Sequence, residues 1–128
     1  MHLLMISLDS SLLGDPHGNT VTRHIAYAER VGQISVIVYN PASSAKPVTR
    51  LSDRLVVYPT NVRTPYFFPW AAYRLGVRIH RQQRADLITT QDPFATGLIG
   101  LWLKWRLRIP LNTQNHSTFF NNHAWIAE

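Results

Sequence analysis

Residues 34–39 read ISVIVY, a run dense in β-branched side chains with no in–out alternation of apolar and polar positions. A strand of that composition is covered on both faces, and such strands belong to parallel sheets flanked by helices. Four further short runs fit the same scheme: His2–Ser7, Leu55–Tyr58, Asp86–Thr90 and Ile109–Thr113. Between them lie helical patterns. Val21, Ile25, Ala28 and Val31 form a buried stripe, opened by a cap at Asn19 or Thr20 and closed by Gly32. A second helix is expected from Trp70 to about Arg84, with Ala72, Leu75 and Ile79 on one side and Arg74, Arg78 and Arg81 on another. A third covers Ala95–Leu107. The stretches Ser10–Gly18, Asn40–Arg50 and Thr64–Pro69 carry Gly or Pro and read as loops or irregular segments.

Strands alternating with helices imply right-handed crossovers. The expected fold is a doubly wound, Rossmann-like α/β domain with a mostly parallel five-stranded sheet of order 3-2-1-4-5. Ligands in such folds sit beyond the C-terminal strand ends, near the switch point between the first and fourth strands. Asp9–Gly18, Thr90–Phe94 and Gln114–Phe120 project there.

At 128 residues the chain has room for one domain with a real core. It has no cysteine, which excludes disulfides, thiolate metal sites and a Cys nucleophile. No secretory signal is visible in Met1–Ser7. The longest apolar stretch, Leu98–Trp105, contains Lys104 and falls well short of the ~20 residues of a spanning helix. A cytoplasmic location is expected. The net charge is +6, and eight of the basic residues lie between Arg63 and Arg108 against only Asp86 and Asp92. That balance favours anionic partners: phosphates, nucleic acid or an anionic bilayer surface. No nucleic-acid-binding motif accompanies it, so a basic module for nucleic acid is the alternative reading and a specific nucleic-acid partner is not expected.

Few residues stand out chemically. Asp92, followed by Pro93, is placed to cap the third helix. Phe94 is expected beneath that loop, with Gly97 and Gly100 letting the helix approach the sheet. Gln91 has no capping role and is the better candidate for ligand contact. In WLKWRLR, the i, i+3, i+4, i+7 spacing assigns Leu98, Leu101, Trp102 and Trp105 to the sheet-facing side. His116 lies among Gln114, Asn115 and Ser117, residue types that hydrogen-bond hydroxyl-rich ligands. His17, His24, His80 and His123 have no metal-ligand spacing and read as surface or core-edge residues. Gly18, ahead of a helix N-terminus, offers an anion site. Neither GxGxxG after the first strand nor GxxxxGK[ST] is present.

Taken in order, LLMISLDSSLLGDPHGNTVTRHIAYA, ADLITTQDPFATGLIG and IPLNTQNHSTFF resemble the N-terminal domain of GT-B fold retaining glycosyltransferases of family 4. In that family this domain binds the acceptor, a glycan or lipid-linked molecule. A second domain holds most of the nucleotide-sugar, without an obligatory metal or other cofactor. The resemblance makes Gly18 part of the loop facing the donor diphosphate, with Asn19 where the family often has another glycine. It makes His116 the cleft histidine that contacts the transferred sugar, and it puts Gln91, Asp92, Gln114 and Asn115 along the same cleft. It also implies that residues 1–128 are a partial N-terminal domain lacking the donor-binding domain and inactive alone: a fragment, a truncated gene product or an independent acceptor-side module. The product would be a polysaccharide or glycolipid, and the basic aromatic segments would bring the chain into peripheral contact with the inner face of an anionic membrane.

Overall fold

A computed structural model describes residues 1–14, 17–92 and 94–113. The chain runs β1 (His2–Ser7), α1 (Asn19–Val31), β2 (Gln33–Val38), β3 (Thr49–Ser52), β4 (Leu55–Pro59), α2 (Phe68–Gln82), β5 (Leu87–Thr90), α3 (Ala95–Leu107) and β6 (Leu111–Thr113). The sheet order is β3-β4-β2-β1-β5-β6. Every pairing is parallel except β3 with β4. The five parallel strands keep the expected order. The expected count of five is corrected to six, because TRLS, read partly as loop, folds back through Asp53–Arg54 as an antiparallel edge strand.

The two cores explain why the strand runs lack alternation. Leu3 and Met5 of β1 join Ile34, Val36 and Val38 of β2 in one cluster with Val21 and Ala28 of α1. Leu4 and Ile6 point the other way, joining Ile37, Ile88, Ala72, Ile79, Ile99 and Leu103 beneath α2 and α3. Both faces are apolar since both are covered.

Gly32 ends α1 at φ +122°, and a Cβ there would lie 2.7 Å from the Met1 carbonyl oxygen. Only glycine fits that turn. At the other end the N-cap of α1 is Gly18 rather than Asn19 or Thr20, and no side chain caps it. The second helix begins two residues earlier than expected, at Phe68, with Pro69 in its first turn where a missing N–H does no harm. No helix among the described residues is long and apolar enough to cross a membrane.

Two corrections concern α3 and its surroundings. Its buried residues are Thr96, Gly97, Ile99, Gly100 and Leu103. Leu98, Trp102 and Trp105 are exposed, Trp105 at 68%. The glycines decide this: a Cβ on Gly100 would sit 2.6 Å from Thr90 Cγ2, so this face alone lets the helix lie close to β5. Phe94 is exposed at 72% rather than tucked beneath its loop.

The histidines divide by burial. His24 is buried at the edge of the core, the second of the two positions expected for it. His2 is buried as well, with Nδ1 donating to the Arg84 carbonyl at 3.1 Å and Nε2 hydrogen-bonded to Ser35 Oγ at 2.8 Å. His80 accepts the Ala85 N–H on Nδ1 at 3.0 Å, so it bonds as the neutral ring. Burial, with the nearby Arg84 charge, holds its pKa below the ordinary 6.5. The folded chain thus resists a proton that the unfolded chain takes up near 6.5, so this contribution is complete above that pH and is lost as pH falls through the depressed value. The melting midpoint should therefore fall between about pH 7 and about pH 5 more steeply in the parent than in His80→Gln. Equal slopes would contradict the assignment.

Candidate functional site

The switch point lies where β1 has β2 on one side and β5 on the other, with α1 leaving over one face and α3 over the opposite one. Chain segments diverging there leave a crevice at the C-terminal strand ends. Its floor is tied by Ser7, fully buried at the end of β1. The Ser7 hydroxyl donates to Gln91 Oε1 at 2.5 Å and accepts the Asp9 N–H at 2.9 Å. One serine therefore fixes both exits. Beyond it, Ser10–Leu13 forms a single 3-10 turn that sends Leu12 and Leu13 into the core beside α1.

Asp9 caps that turn, with Oδ1 accepting the Ser11 N–H at 2.9 Å. This backbone hydrogen bond is the main reason its carboxyl titrates below the usual 3.8. Burial opposes the shift, while the Ser11 hydroxyl and the charges of His24 and Arg23 favour it. Asp9 is accordingly a fixed anion at neutral pH and not a proton donor.

Asp92 holds the opposite wall. Its carboxylate accepts the Phe94 N–H at 2.8 Å and, through its other oxygen, the Thr96 hydroxyl at 2.8 Å, while its own N–H donates to Thr96 Oγ1 at 3.1 Å. The formal N-cap of α3 is Phe94, so the expected cap position is corrected. Asp92 orders the turn leading into the helix from two residues upstream. Both carboxylate oxygens are engaged in that task; on Gln91, Oε1 is held by Ser7, while Nε2 has only a weak contact with Met5 Sδ at 4.0 Å. Pro93, paired with Asp92 in the sequence argument, lies outside the described residues.

Two hollows meet here. One, of about 470 Å³, is lined by Leu8, Asp9, Arg23, Gln91 and Asp92. The other, of about 450 Å³, runs between α1 and the sheet, floored by Leu3, Met5, Val31 and Ile34 and edged by Arg23, His24, Tyr27 and Gln91. Arg23 and Gln91 belong to both. His24 Nδ1 donates to the Thr20 carbonyl at 2.8 Å, which orients the ring along the edge of this hollow. The arrangement offers a guanidinium, an amide and an imidazole around an apolar floor, suited to a ligand with hydroxyl or anionic groups and an apolar part.

Gln91 and Asp92, expected from the sequence, are thus brought together. Gly18 and Asn19 lie at the N-terminus of α1 but line neither hollow. The Gly18 carbonyl accepts from Thr22 N–H at 3.0 Å, and no acidic residue occupies the first turn, so the helix end remains electropositive. Gln114, Asn115 and His116 lie outside the described residues, as does His123. Sequence reading missed Ser7, Asp9, Arg23 and His24. The Asp9–Ser11 spacing, typical of an Asx turn directly after a strand, signals the first pair. For Arg23 the signal is its place one turn into a helix that starts at the crevice. Among the described residues no three His, Cys, Asp or Glu side chains are grouped to hold a metal ion.

The profile of glycosyltransferase family 4 matches residues 18–128. Alpha-monoglucosyldiacylglycerol synthase of Streptococcus pneumoniae (strain ATCC BAA-255 / R6) is 28% identical over 89 residues, covering 65% of this chain. The chain spans 20% of the length of that relative.

Proposed function

Since the chain belongs to glycosyltransferase family 4, we propose that it forms the acceptor side of a sugar-transfer cleft whose nucleotide-sugar is held mainly by a second domain. The observation that carries this reading is the joined pair of hollows at the switch point, sharing Arg23 and Gln91 above an apolar floor. An acceptor with an apolar anchor and a hydroxyl head matches it. Of the two acceptor classes the family resemblance allows, the lipid-linked one is favoured, because the relative from Streptococcus pneumoniae is named as a glucosyldiacylglycerol synthase.

In this scheme the amide of Gln91 binds the acceptor head. The uncapped N-terminus of α1 behind Gly18 and Asn19 faces the donor diphosphate, where aligned N–H groups stabilise negative charge. His116, flanked by Gln114 and Asn115, contacts the transferred sugar. Retaining transfer needs both reactants in near-attack geometry, and one wall of a cleft does not supply that. The 128 residues alone are therefore inactive in this reading, and the work takes place in the cytoplasm, at the membrane face.

Gln91→Ala, in the chain joined to a family 4 donor-binding domain, tests the assignment. The acceptor KM should rise roughly tenfold with kcat and donor KM little changed, as expected when an interaction common to ground and transition states is removed. A rise confined to the donor KM would place the residue on the wrong side of the cleft.

A further inference from the structure

The chain as a whole is cationic, with a net charge of +6, yet the hollow at the strand ends is built the other way. Its lining of Leu8, Asp9, Arg23, Gln91 and Asp92 sets two carboxylates against one guanidinium. The positive excess lies over the opposite face of the sheet from α1, with Arg74, Arg78 and Arg81 on α2 and Lys104 and Arg106 on α3. Asp9 and Asp92 follow the ends of two adjacent strands, β1 and β5. Each is fixed by its own turn, Asp9 through the Ser11 N–H and Asp92 through the Phe94 N–H and the Thr96 hydroxyl. Neither leaves the hollow without breaking that turn. Arg23 reaches the same space from α1, close enough for its charge to act on Asp9. One cation does not offset two anions.

From this juxtaposition we propose that Asp9 and Asp92 determine the specificity of the acceptor site, admitting an uncharged polyol head and rejecting a phosphorylated one. The inference deepens the acceptor assignment above and rests on it. A carboxylate oxygen only accepts hydrogen bonds, and each has room for a second donor beside the one its turn supplies. Phosphate oxygens are acceptors as well and carry negative charge, so between Asp9 and Asp92 they meet repulsion and no donor. An alcohol hydroxyl both donates and accepts. It donates to either carboxylate and accepts from Arg23 or from Gln91 Nε2, whose contact with Met5 Sδ at 4.0 Å is weak. The adjoining floor of Leu3, Met5, Val31 and Ile34 takes the aliphatic part of the same molecule. Because the Ser11 N–H stabilises the ionised form of Asp9, the filter keeps its charge at neutral pH.

The test compares two soluble amphiphiles that differ only in the phosphate, 1-O-octylglycerol and 1-O-octylglycerol 3-phosphate, each kept below its micelle concentration. Titrated into the isotope-labelled chain, they are followed by NMR at the side-chain amide of Gln91, which excludes phosphate bound elsewhere on the basic surface. The neutral compound should bind at this site at least about tenfold more tightly than its phosphate. Asp9→Asn/Asp92→Asn leaves Arg23 as the only charge in the lining, and the preference should shrink to within about threefold or reverse. Asparagine keeps an oxygen for the Ser11 and Phe94 N–H groups, so the melting midpoint should change little. If the double variant melts early, Asp92→Asn alone is read in its place and should lose part of the preference. The proposal is overturned if the parent binds both compounds equally or prefers the phosphate, or if the folded variants keep the full parental preference. Should neither compound move the Gln91 signals, the acceptor assignment falls and this inference with it. Transfer in the chain joined to a donor-binding domain separates the two readings. Equal transfer to diacylglycerol and to phosphatidylglycerol would keep the function and sink the filter. Selective binding without any transfer would do the reverse.

Discussion

Leu103→Ala should lower stability by about 2–5 kcal/mol, while Trp105→Ala, two residues along the same helix, should stay within about 0.5 kcal/mol of the parent. Leu103 has no exposed surface and lies in the core beneath α2 and α3. Its Cδ atoms come within 2.8 Å of where a Cβ on Gly76 would sit, so it fills the notch that this glycine leaves in α2. Truncation removes the apolar contact and leaves a cavity between two helices, whose backbones cannot collapse without disturbing Gly100 against β5. For a domain of this size each kcal/mol moves the midpoint by about 3–5 °C, so Leu103→Ala should melt roughly 10 °C lower. Trp105, the larger residue by far, should matter little. The reverse ranking would mean that α3 turns its tryptophans inward.

The spacing read from the sequence puts Trp105 on the sheet-facing side, and the reason it misleads is physical. The helix ATGLIGLWLKWRL is apolar nearly all round, so the i, i+3, i+4, i+7 rule selects two stripes equally well: Leu98, Leu101, Trp102 and Trp105, or Thr96, Ile99, Gly100 and Leu103. The sequence reading takes the first, because that spacing accounts for both tryptophans. Close approach to the sheet, which only Gly97 and Gly100 permit, favours the second and prevails. The strands fared better. The bounds of β1 and α3 and the order of the parallel strands were legible because buried parallel strands are continuous apolar runs. The edge strand β3 was not, since TRLS is short, half-exposed and punctuated by polar residues, which is how edges avoid unwanted pairing. At the site, Gln91 and Asp92 were legible from their place just after a strand. Arg23 and His24 were hidden within a helix, where position along the chain says little about which residue reaches the crevice.

His116→Ala should lower kcat/KM for sugar transfer by roughly tenfold to a thousandfold in the chain joined to a donor-binding domain. The expectation comes from the family resemblance at NTQNHSTFF. An imidazole that hydrogen-bonds the transferred sugar contributes most when charge develops at the reacting carbon, so kcat should fall more than KM rises. The melting midpoint should barely move, because the resemblance gives this side chain to the ligand and not to the core. A variant that transfers at the parental rate would remove His116 from the chemistry.

The central claim, that these residues form one wall of a two-domain transfer cleft, is tested most directly by turnover. The 128-residue chain is assayed with labelled nucleotide-sugars and a lipid acceptor, first alone and then joined to the donor-binding domain of a family 4 enzyme. The account predicts no transfer and no donor hydrolysis in the first case and repeated turnover in the second. Multiple turnovers by the chain alone, or none after joining, would contradict it.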